Sequence, residues 1–532
     1  MSAASMALQS PAKPLNLAAH FLERNLAEGR GEKIALIVDH PERGVSRYTY
    51  RQVSEEAARF GHELSARGIG LEDRVFLVLE DGLEWVAAFF GALKIGATVM
   101  FLNPQVSAEE LTFYLADSRA RGVVTTRAVA ARLPHHRPHI KAVLVIDDEP
   151  TEAALRARPT KLEAAATTEE DFAIWLYSSG STGAPKAAVH RAYDFVYNTD
   201  RYPKEVLAMS ASDVTLSVPK LFFGYATGSN LLFTFNWGGT TVLFPDKPTP
   251  ERLFQLAADH RATILVSVPT MIAQMAEHYE RATTQPDVRS LRVVTSAGEA
   301  LPPELYHRWK KSVGVEILDG IGSAEMFHIF ISARFGKVVP GSLGTLVEGY
   351  EAKIIDADGK LCGPGEAGTL WIGGGSAAAF YWQRHEKSRE VLQGGWVVSS
   401  DQFARDAQGY FWYRGRADDL MKVGGRWLAP QEIEDVLTRH PAVAEAGAAP
   451  FTQDGLVKPM AFVVLREGHA PEESLAKALA DHVAQGLERF KAPRFVEFVA
   501  TLPRSDRDKL ARGELKKLAA AAAVRRGIGD RS

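Results

Sequence analysis

Cysteine is nearly absent from this sequence, because Cys362 is the single one among 532 residues. A lone cysteine excludes an internal disulfide framework and a metal site built from cysteines, and it fits a reducing cytoplasm. Long apolar runs are also missing, since no segment approaches the roughly 20 residues that a membrane-spanning helix requires. The first residues lack the basic and apolar segments of a signal peptide. We therefore expect a cytoplasmic protein that does not reside in a membrane.

An excess of charge of one sign is absent as well. The 62 lysines and arginines are balanced by 65 aspartates and glutamates, which gives a formal net charge of −3. This balance provides no basic surface for nucleic acid, so small-molecule partners are expected. Hydrophobic residues at 46% and charged residues at 24% are close to the averages for globular proteins. A chain of 532 residues is too long for one ordinary core and predicts at least two domains.

The pattern of apolar segments predicts an α/β fold. Between Leu15 and about Val145, apolar strands alternate with helical stretches, as in the strand at 74–79 and the helix at 83–90. This alternation is typical of buried parallel strands. The segments 368–373 and 394–401 predict strands of a separate β element, with Asp401 at the end of one of them. From about residue 419 the chain alternates strands and helices, which predicts a smaller, mobile α+β domain.

A loop rich in small hydroxylated residues follows the predicted strand at 172–177 and ends in Lys186. Its glycines permit backbone angles that turn amide N–H groups toward an anion, while its hydroxyls add donors and the lysine adds positive charge. Pro185 disfavours helix before the lysine, so the loop should stay extended and differs from the usual P-loop. The residues predicted to bind phosphate are Ser178, Ser179, Gly180, Ser181, Thr182, Gly183 and Lys186. A solvent-exposed Gly/Ser turn is the alternative.

The string from Tyr177 to Lys186 resembles the phosphate-binding signature of the acyl-adenylate-forming superfamily, which comprises acyl- and aryl-CoA synthetases, peptide-synthetase adenylation domains and firefly luciferases. The resemblance implies ATP and Mg²⁺, with Glu325 as the catalytic carboxylate that holds the metal. It also implies contacts of further residues with the nucleotide or with coenzyme A, namely Gly298, Glu299, Asp319, Gly320, Ile321, Asp401, Arg416 and Gly425. One departure is Ala324, because the superfamily usually has a threonine that binds the α-phosphate at this position.

Two further strings resemble the benzoate-CoA ligase branch. The first, at 221–225, follows a predicted strand with aromatic residues, and the second runs from Asp319 to Phe330, with the short string at 421–423 adding to the resemblance. Aromatic faces beside a glycine leave a slot for a flat ring. The residues predicted to line the acid pocket are Phe222, Phe223, Gly224, Tyr225, Gly322, His328 and Ile329. Ordinary core aromatics and a structural histidine are the alternatives.

The resemblance also implies a two-domain mechanism. Residues 1–417 would form the large nucleotide- and acid-binding domain, and residues 418–532 a small domain that turns about a hinge at Asp418. Lys509 matches the lysine that bridges the substrate carboxylate and the α-phosphate, although Arg507 and Asp508 replace the usual threonine and glycine before it. A cation suits this role because a carboxylate anion attacks a phosphate. A solvated lysine in a charged tail is the alternative.

The implied activity is that of an aryl-CoA ligase, which converts an aromatic acid to aryl-AMP and then to aryl-CoA. Benzoate, 2-aminobenzoate and hydroxybenzoates are all compatible with the predicted pocket, and a monomer or a homodimer is expected. Two rival functions remain open at this point. A stand-alone adenylation enzyme would load a carrier protein instead of coenzyme A. A non-catalytic relative would bind the nucleotide without chemistry, as the departures at Ala324 and at Arg507 and Asp508 suggest.

Overall fold

The computed structural model describes residues 12–180, 183–416, 419, 421–423, 426–453, 455–504 and 510–528, with the backbone alone at 179, 180, 183, 416, 422 and 427. Five predicted site residues lie outside this part of the chain: Ser181, Thr182, Asp418, Gly425 and Lys509. The proposed boundary between 417 and 418 also falls there and stays a prediction.

The described part of the chain contains 26 strands. They are β1 (Ile34–His40), β2 (Gly44–Thr49), β3 (Arg74–Val78), β4 (Thr98–Phe101), β5 (Gly122–Thr125), β6 (Ala142–Val145), β7 (Phe172–Gly180), β8 (Gly183–Arg191), β9 (Val214–Ser217), β10 (Thr240–Leu243), β11 (Ile264–Ser267), β12 (Val293–Ser296), β13 (Ile317–Gly322), β14 (Ile329–Ser332), β15 (Thr345–Leu346), β16 (Glu351–Ile355), β17 (Ala367–Gly373), β18 (Phe380–Tyr381), β19 (Leu392–Gln393), β20 (Trp396–Arg405), β21 (Phe411–Arg416), β22 (Met421–Val423), β23 (Arg426–Leu428), β24 (Val443–Gln453), β25 (Leu456–Leu465) and β26 (Phe495–Phe498).

The same residues contain 17 α-helices. They are α1 (Arg24–Ala27), α2 (Tyr50–Ala66), α3 (Leu83–Lys94), α4 (Ala108–Ser118), α5 (Arg127–Ala130), α6 (Glu149–Ala157), α7 (Ala192–Thr199), α8 (Tyr202–Glu205), α9 (Gly224–Ala226), α10 (Phe233–Asn236), α11 (Pro250–Asp259), α12 (Pro269–Arg281), α13 (Pro303–Ser312), α14 (His385–Val391), α15 (Pro430–Thr438), α16 (Glu473–Gly486) and α17 (Arg512–Arg525). Short π-helical turns at Ala19–Glu23 and Thr227–Leu232 and 3₁₀ turns at Ala324–Met326 and Arg489–Lys491 complete the helical segments described.

Two mostly parallel sheets form the body of the molecule. The nine-stranded sheet has the order β15-β14-β13-β12-β11-β9-β10-β1-β2, and the seven-stranded sheet has the order β18-β8-β7-β4-β3-β5-β6. The inner strands of both are parallel, whereas β2, β14 and β15 in the first and β8 and β18 in the second are antiparallel. The expected parallel α/β domain is therefore confirmed, and it consists of two sheets.

Local sequence accounts for these elements. Strands such as β3 and β5 are buried along nearly their whole length, as their continuous apolar sequences predict for parallel strands covered on both faces. Helix α4 begins with a capping box between Ser107 and Glu110. The turn after helix α3 contains Gly96, whose φ of 76° lies in the left-handed region that favours glycine. The helix predicted at 83–90 is present as α3 and continues to Lys94.

The β element and the smaller domain follow in chain order. Strands β16, β17, β20, β19 and β21 form an antiparallel five-stranded sheet. Beyond it, β24, β25 and β26 form a three-stranded sheet whose core is shared with α15, α16 and α17. This arrangement confirms the predicted α+β character of the C-terminal part. No helix in the described ranges is both long and apolar enough to cross a membrane.

Candidate active site

The carboxyl ends of the parallel strands bring most predicted site residues together. Ser178 lies near the end of β7, the aromatic turn (residues 220–225) follows β9, and Asp319 to Gly322 form the end of β13. Open α/β sheets bind ligands at this edge because the loops that leave the strands converge there. The described residues that were predicted to form the phosphate loop lie in strands instead, with 178–180 at the end of β7 and 183–186 at the start of β8, and these two strands pair in antiparallel register. The extended chain expected around Pro185 is therefore present in β8.

Three side chains from different elements meet in what we call the phosphate corner, which consists of Lys186, Tyr381 and Glu325. The Nζ atom of Lys186 donates to the hydroxyl of Tyr381 at 2.8 Å and lies 3.7 Å from Oε1 of Glu325. The Tyr381 hydroxyl donates in turn to that carboxylate. Lys186 is on β8 and Tyr381 is on β18, and these two strands are paired. The corner therefore depends on an antiparallel strand pair and on the 3₁₀ turn that carries Glu325.

The electrostatics of the phosphate corner favour a charged pair. Burial raises the pKa of the Glu325 carboxyl, but the charge of Lys186 and the hydrogen bond from Tyr381 outweigh this effect and hold the pKa below its usual value. Burial lowers the pKa of Lys186, and the attraction of Glu325 opposes that lowering. The side chains of Lys186 and Glu325 are only 19% and 15% exposed, so solvent screens their interaction weakly.

The backbone around Glu325 is held from two sides. Nε2 of His190 lies 2.7 Å from the carbonyl oxygen of Ala324, and Nδ1 of the same ring lies 3.1 Å from Oδ2 of Asp194. On the other side, the amide of Ala378 donates to the carbonyl of Glu325 at 2.8 Å. Ala324, where the superfamily usually has threonine, is thus fixed through its carbonyl group, and Glu325 is fixed with it.

The next residues make a strained turn. Phe327 has a φ of 65° and a ψ of −55°, and the amide of His328 donates to the carbonyl of Met326 at 2.8 Å. This is a γ-turn with positive φ, a rare conformation for a residue with a large side chain. Such strain persists only where the surrounding structure enforces it, and it concentrates at functional sites. The turn redirects the chain between the phosphate corner and His328.

The predicted acid-pocket residues lie close to one another, and we call Phe222, Phe223, Gly224, Tyr225, His328 and Ile329 the acid pocket. The rings of Phe222 and Phe223 are 4.8 Å apart, and the His328 ring is 5.3 Å from that of Tyr225. The Tyr225 hydroxyl lies 3.0 Å from Oγ1 of Thr295, at the end of β12. Ile329 begins β14 and is the register partner of Gly322 on β13. A Cβ at position 322 would lie 2.6 Å from the backbone of His328, so only glycine fits there.

His328 is buried, with 3% of its surface exposed. Its Nε2 lies 2.9 Å from Oγ of Ser229 and 3.0 Å from the carbonyl oxygen of Tyr225, whereas Nδ1 has no hydrogen-bond partner among the described residues. Burial lowers the pKa of His328 to about 3, so the ring is neutral at physiological pH. A neutral ring whose Nε2 faces the Tyr225 carbonyl leaves Nδ1 as an acceptor.

The residues predicted to contact the adenosine lie at neighbouring strand ends. Gly298 adopts a φ of 91° just after β12, and the Glu299 carboxylate accepts from the hydroxyl of Thr270 at 2.9 Å. Asp319 is on β13 with Gly320 and Ile321. Burial raises the pKa of Asp319 to about 7, against the hydrogen bonds that act on its carboxylate. These groups form one edge between β12 and β13.

Two more of the predicted nucleotide contacts, Asp401 and Arg416, lie on the β element. Asp401 on β20 is the register partner of Arg416 on β21, so their backbones are adjacent. The prediction that Asp401 ends its strand is wrong, because β20 continues to Arg405. The pairing register shifts between Asp401 and Phe403, and a bulge of this kind redirects a side chain without ending the strand.

Known proteins match this arrangement over nearly the whole chain. Residues 22–382 match the family model described as AMP-binding enzyme, and residues 432–509 match the model of the AMP-binding enzyme C-terminal domain. The chain belongs to the AMP-binding enzyme family. This membership confirms the resemblance to the acyl-adenylate-forming superfamily.

Individual relatives of this AMP-binding enzyme lie in the predicted branch. It is 37% identical over 513 residues to the benzoate–CoA ligase of Thauera aromatica, which covers 94% of this chain and 95% of that protein. Among solved structures, the anthranilate CoA ligase AuaEII in complex with anthranoyl-AMP matches with a TM-score of 0.88 and 36% identity, covering 96% of this chain and 98% of that one. A benzoate CoA ligase from Burkholderia xenovorans LB400 matches with a TM-score of 0.86 and 36% identity, covering 94% and 100%.

Several residues of this AMP-binding enzyme's site were not predicted from the sequence. Tyr381 is 195 positions from Lys186, and nothing in its local sequence marks it as a partner of the phosphate loop. His190 follows the loop on the same strand and could have been found by the alternation of side chains along β8. Ser229 lies in the π-helical turn after Tyr225, and such turns are often found at functional sites. The described residues contain no cluster of three or more histidine, cysteine, aspartate or glutamate side chains suited to a metal.

Proposed function

We propose that this protein is an ATP-dependent aryl-CoA ligase that accepts benzoate, 2-aminobenzoate or a hydroxybenzoate. The carboxylate oxygen of the acid attacks the α-phosphorus of ATP, and the bond to pyrophosphate breaks. The thiol of coenzyme A then attacks the carbonyl carbon of the aryl-AMP, AMP leaves, and the thiol proton is released. One observation carries this proposal. Glu325 of the phosphate corner and His328 of the acid pocket are three positions apart in the chain and are joined by one strained turn.

In the first step, residues of the chain bind the phosphates and the attacking carboxylate. Lys186 offers its ammonium to the phosphate oxygens, and Ser178, whose Oγ is buried without a hydrogen-bond partner in the described part of the chain, offers a hydroxyl. Charged donors in a partly buried site stabilise the negative charge of the transferring phosphoryl group. In our proposal Ser179, Gly180, Ser181, Thr182 and Gly183 complete this grip. Lys509 bridges the carboxylate and the α-phosphate, and its removal about a hinge at Asp418 permits the second step.

Mg²⁺ fits the phosphate corner. A hard cation held against phosphates usually takes one or two protein carboxylates and several waters. Glu325 is a carboxylate whose charge is maintained by its surroundings, and it lies near the lysine that we assign to the phosphates. We propose that Glu325 holds the metal, which supplies additional positive charge to the phosphate oxygens when bound.

The remaining predicted residues are assigned to the adenosine and to coenzyme A. We propose that the edge between β12 and β13 takes the adenine and that the paired strands β20 and β21 take the ribose. The residues so assigned are Gly298, Glu299, Asp319, Gly320, Ile321, Asp401 and Arg416. Gly425 is assigned to the passage of the pantetheine thiol. The similarity to relatives named benzoate–CoA ligase and anthranilate CoA ligase supports coenzyme A as the acceptor in preference to a carrier protein. A cytoplasmic location and a monomer or homodimer are part of the same proposal.

The test is the release of pyrophosphate from ATP and Mg²⁺ with a panel of acids, each with and without coenzyme A. The panel contains benzoate, 2-aminobenzoate, 4-hydroxybenzoate, cinnamate and hexanoate. We expect release to depend on a benzoate and to become continuous when coenzyme A is added. Release without any effect of coenzyme A would favour the carrier-protein function. Nucleotide binding without release for any acid would contradict the enzymatic function.

A further inference from the structure

A buried lysine begins the aromatic turn, and none of the steps above uses it. Lys220 is 7% exposed. Its Nζ donates to the carbonyl of Phe244 and lies 3.3 Å from the centroid of that ring. A buried ammonium is costly unless charges or hydrogen bonds offset its loss of hydration. The charge of Lys220 therefore requires a partner within the protein.

Asp81 provides the largest opposing charge. Burial lowers the pKa of Lys220, and the attraction of Asp81 opposes this effect more than those of Asp246 and Glu80. Burial likewise raises the pKa of Asp81, and the charge of Lys220 is the main opposing influence. Asp81 follows strand β3 in the seven-stranded sheet, whereas Lys220 follows β9 in the nine-stranded sheet. The attraction therefore acts between segments that follow the carboxyl ends of strands in the two sheets.

Asp81 also contacts the backbone of the turn. Its Oδ1 accepts a hydrogen bond from the amide of Leu221 at 2.8 Å, and its exposed fraction is only 5%. On the other side of the same residue, the carbonyl of Leu221 accepts from the hydroxyl of Thr227 at 2.5 Å. Leu221 is thus held through both of its backbone groups. Phe222 and Phe223 follow directly, so their positions depend on how Leu221 is fixed.

We propose that Asp81 is a positioning residue for the acid pocket, which it orders by holding the amide of Leu221, the residue that follows the buried Lys220. This inference rests on the proposed function, because it assigns the turn to the aromatic acid. Asp81 acts through the turn and not on the reacting atoms. Loss of its charge should therefore weaken binding of the aromatic acid and change the preference among ring substituents, while binding of ATP stays the same.

The test compares Asp81→Asn with a matched variant, Asp213→Asn. Asp213 immediately precedes the same strand, β9, at the end opposite to the turn. It is also buried, accepts a backbone amide from Ser210 at 2.9 Å and pairs with Arg292 at 2.8 Å. Both substitutions remove one buried charge and retain an acceptor oxygen. Dissociation constants for benzoate and for ATP are measured by calorimetry on the full chain, and this comparison does not depend on turnover. KM and kcat are measured alongside them.

For Asp81→Asn we expect the dissociation constant and KM for benzoate to rise about tenfold. Asparagine keeps an acceptor for the Leu221 amide but makes it neutral, and charge-assisted hydrogen bonds are roughly twice as strong as neutral ones. The constants for ATP should stay within about twofold for both variants, and Asp213→Asn should leave those for benzoate within the same range. The double variant Asp81→Asn, Lys220→Met should recover part of the loss, because it removes the ammonium that has lost its largest opposing charge. Thr227→Val, which leaves both charges in place, should also weaken benzoate binding selectively.

The inference is overturned if Asp81→Asn and Asp213→Asn behave alike, or if the constants for benzoate and ATP rise together. An unchanged constant for benzoate in Asp81→Asn also overturns it. The wild-type protein separates this failure from that of the proposed function. If it binds benzoate but releases no pyrophosphate, the catalytic function fails while the comparison of binding constants still decides the role of Asp81. If it binds another benzoate of the panel instead, the same comparison is made with that acid, and if it binds none of them, both are wrong.

Discussion

The two halves of the candidate site are constructed differently. In the phosphate corner, Lys186, Tyr381 and Glu325 contact one another directly, and Lys186 and Glu325 carry the charges that we assign to the phosphates and the metal. In the acid pocket, the side chains are aromatic or neutral, and their positions depend on polar groups behind them. His328 is held by Ser229, for example. The charged side chains of the phosphate corner hold one another, and His190 and Ala378 support only the backbone beside them, whereas the His328 side chain is held by a polar side chain outside the acid pocket.

This difference determines how substitutions should act. A change in the phosphate corner removes a contact with the phosphates or the metal, so it should affect every acid to the same extent. A change in the support of the acid pocket moves a ring, so it should affect some acids more than others. In kinetic terms, a change in the phosphate corner lowers the rate of pyrophosphate release for all acids alike. A change in the support of the acid pocket alters KM for particular acids.

Glu325→Gln should have the largest effect. The substitution removes the proposed ligand of Mg²⁺ and leaves the charge of Lys186 without its partner. By analogy with the loss of one electrostatic group in an active site, we expect kcat for pyrophosphate release to fall about 100- to 1,000-fold with every acid. The control is Glu390→Gln, which removes an exposed carboxylate that pairs with Lys387 nearby. A decrease of less than about threefold, or a decrease that depends on the acid, would contradict the assignment.

Tyr381→Phe should have the next largest effect. The ring is retained, but the hydroxyl that accepts from Lys186 and donates to Glu325 is lost. Because hydrogen bonds to charged groups contribute about 1.5–3 kcal/mol, we expect kcat/KM for ATP to fall about 10- to 100-fold. Tyr410→Phe is the control. It removes an exposed hydroxyl that lies 3.4 Å from the carbonyl of Lys337, and it should leave kcat/KM unchanged. Equal effects of the two substitutions would show that the Tyr381 hydroxyl does not organise the corner.

The sequence predicted which segments form strands and helices, but it did not predict which strands pair with each other. The alternation of apolar strands with helices identified strands such as β3 and the α/β class. The division into a seven-stranded and a nine-stranded sheet could not be predicted, because periodicity tells which face of a strand is buried and not which strand lies beside it. Asp401 was wrongly placed at a strand end for a related reason. The bulge that shifts the register there depends on β17 and β21, on either side of β20.

The candidate site shows the same limit. Lys186 and Glu325 were found because each belongs to a recognisable local string. Tyr381 was missed because it reaches Lys186 only through the pairing of β8 with β18. Asp81 was missed because its contact with Leu221 spans 140 positions and joins two sheets. Motifs therefore predicted the groups to which we assign the chemistry, whereas the residues that contact and position these groups could be found only from the structure.

Ala324→Thr should produce a smaller change, in the direction of higher activity. It introduces the hydroxyl that the superfamily usually has before the glutamate, at a partly exposed position whose carbonyl is already fixed by His190. A hydrogen bond to the α-phosphate would raise kcat/KM for ATP by up to about tenfold. Ala324→Val is the matched control, since valine has the shape of threonine without the hydroxyl. A gain with valine, or a loss with threonine alone, would contradict an orientation toward the phosphate.

His328→Gln should change how stability depends on pH, which tests whether the acid pocket is uncharged. Burial lowers the pKa of His328 to about 3, below the ordinary value of 6.5. The unfolded chain therefore binds a proton that the folded chain does not, and stability is lost as the pH falls below about 6.5. Between pH 7 and pH 5 this residue should account for a loss of about 2 kcal/mol in the free energy of unfolding. We expect the denaturant midpoint of His328→Gln to depend less on pH than that of the wild type, whereas substitution of the exposed His136 leaves the dependence unchanged. Identical pH profiles for all three proteins would mean that His328 takes up a proton in the folded protein as readily as in the unfolded chain, and the contrast between a charged corner and a neutral pocket would fail.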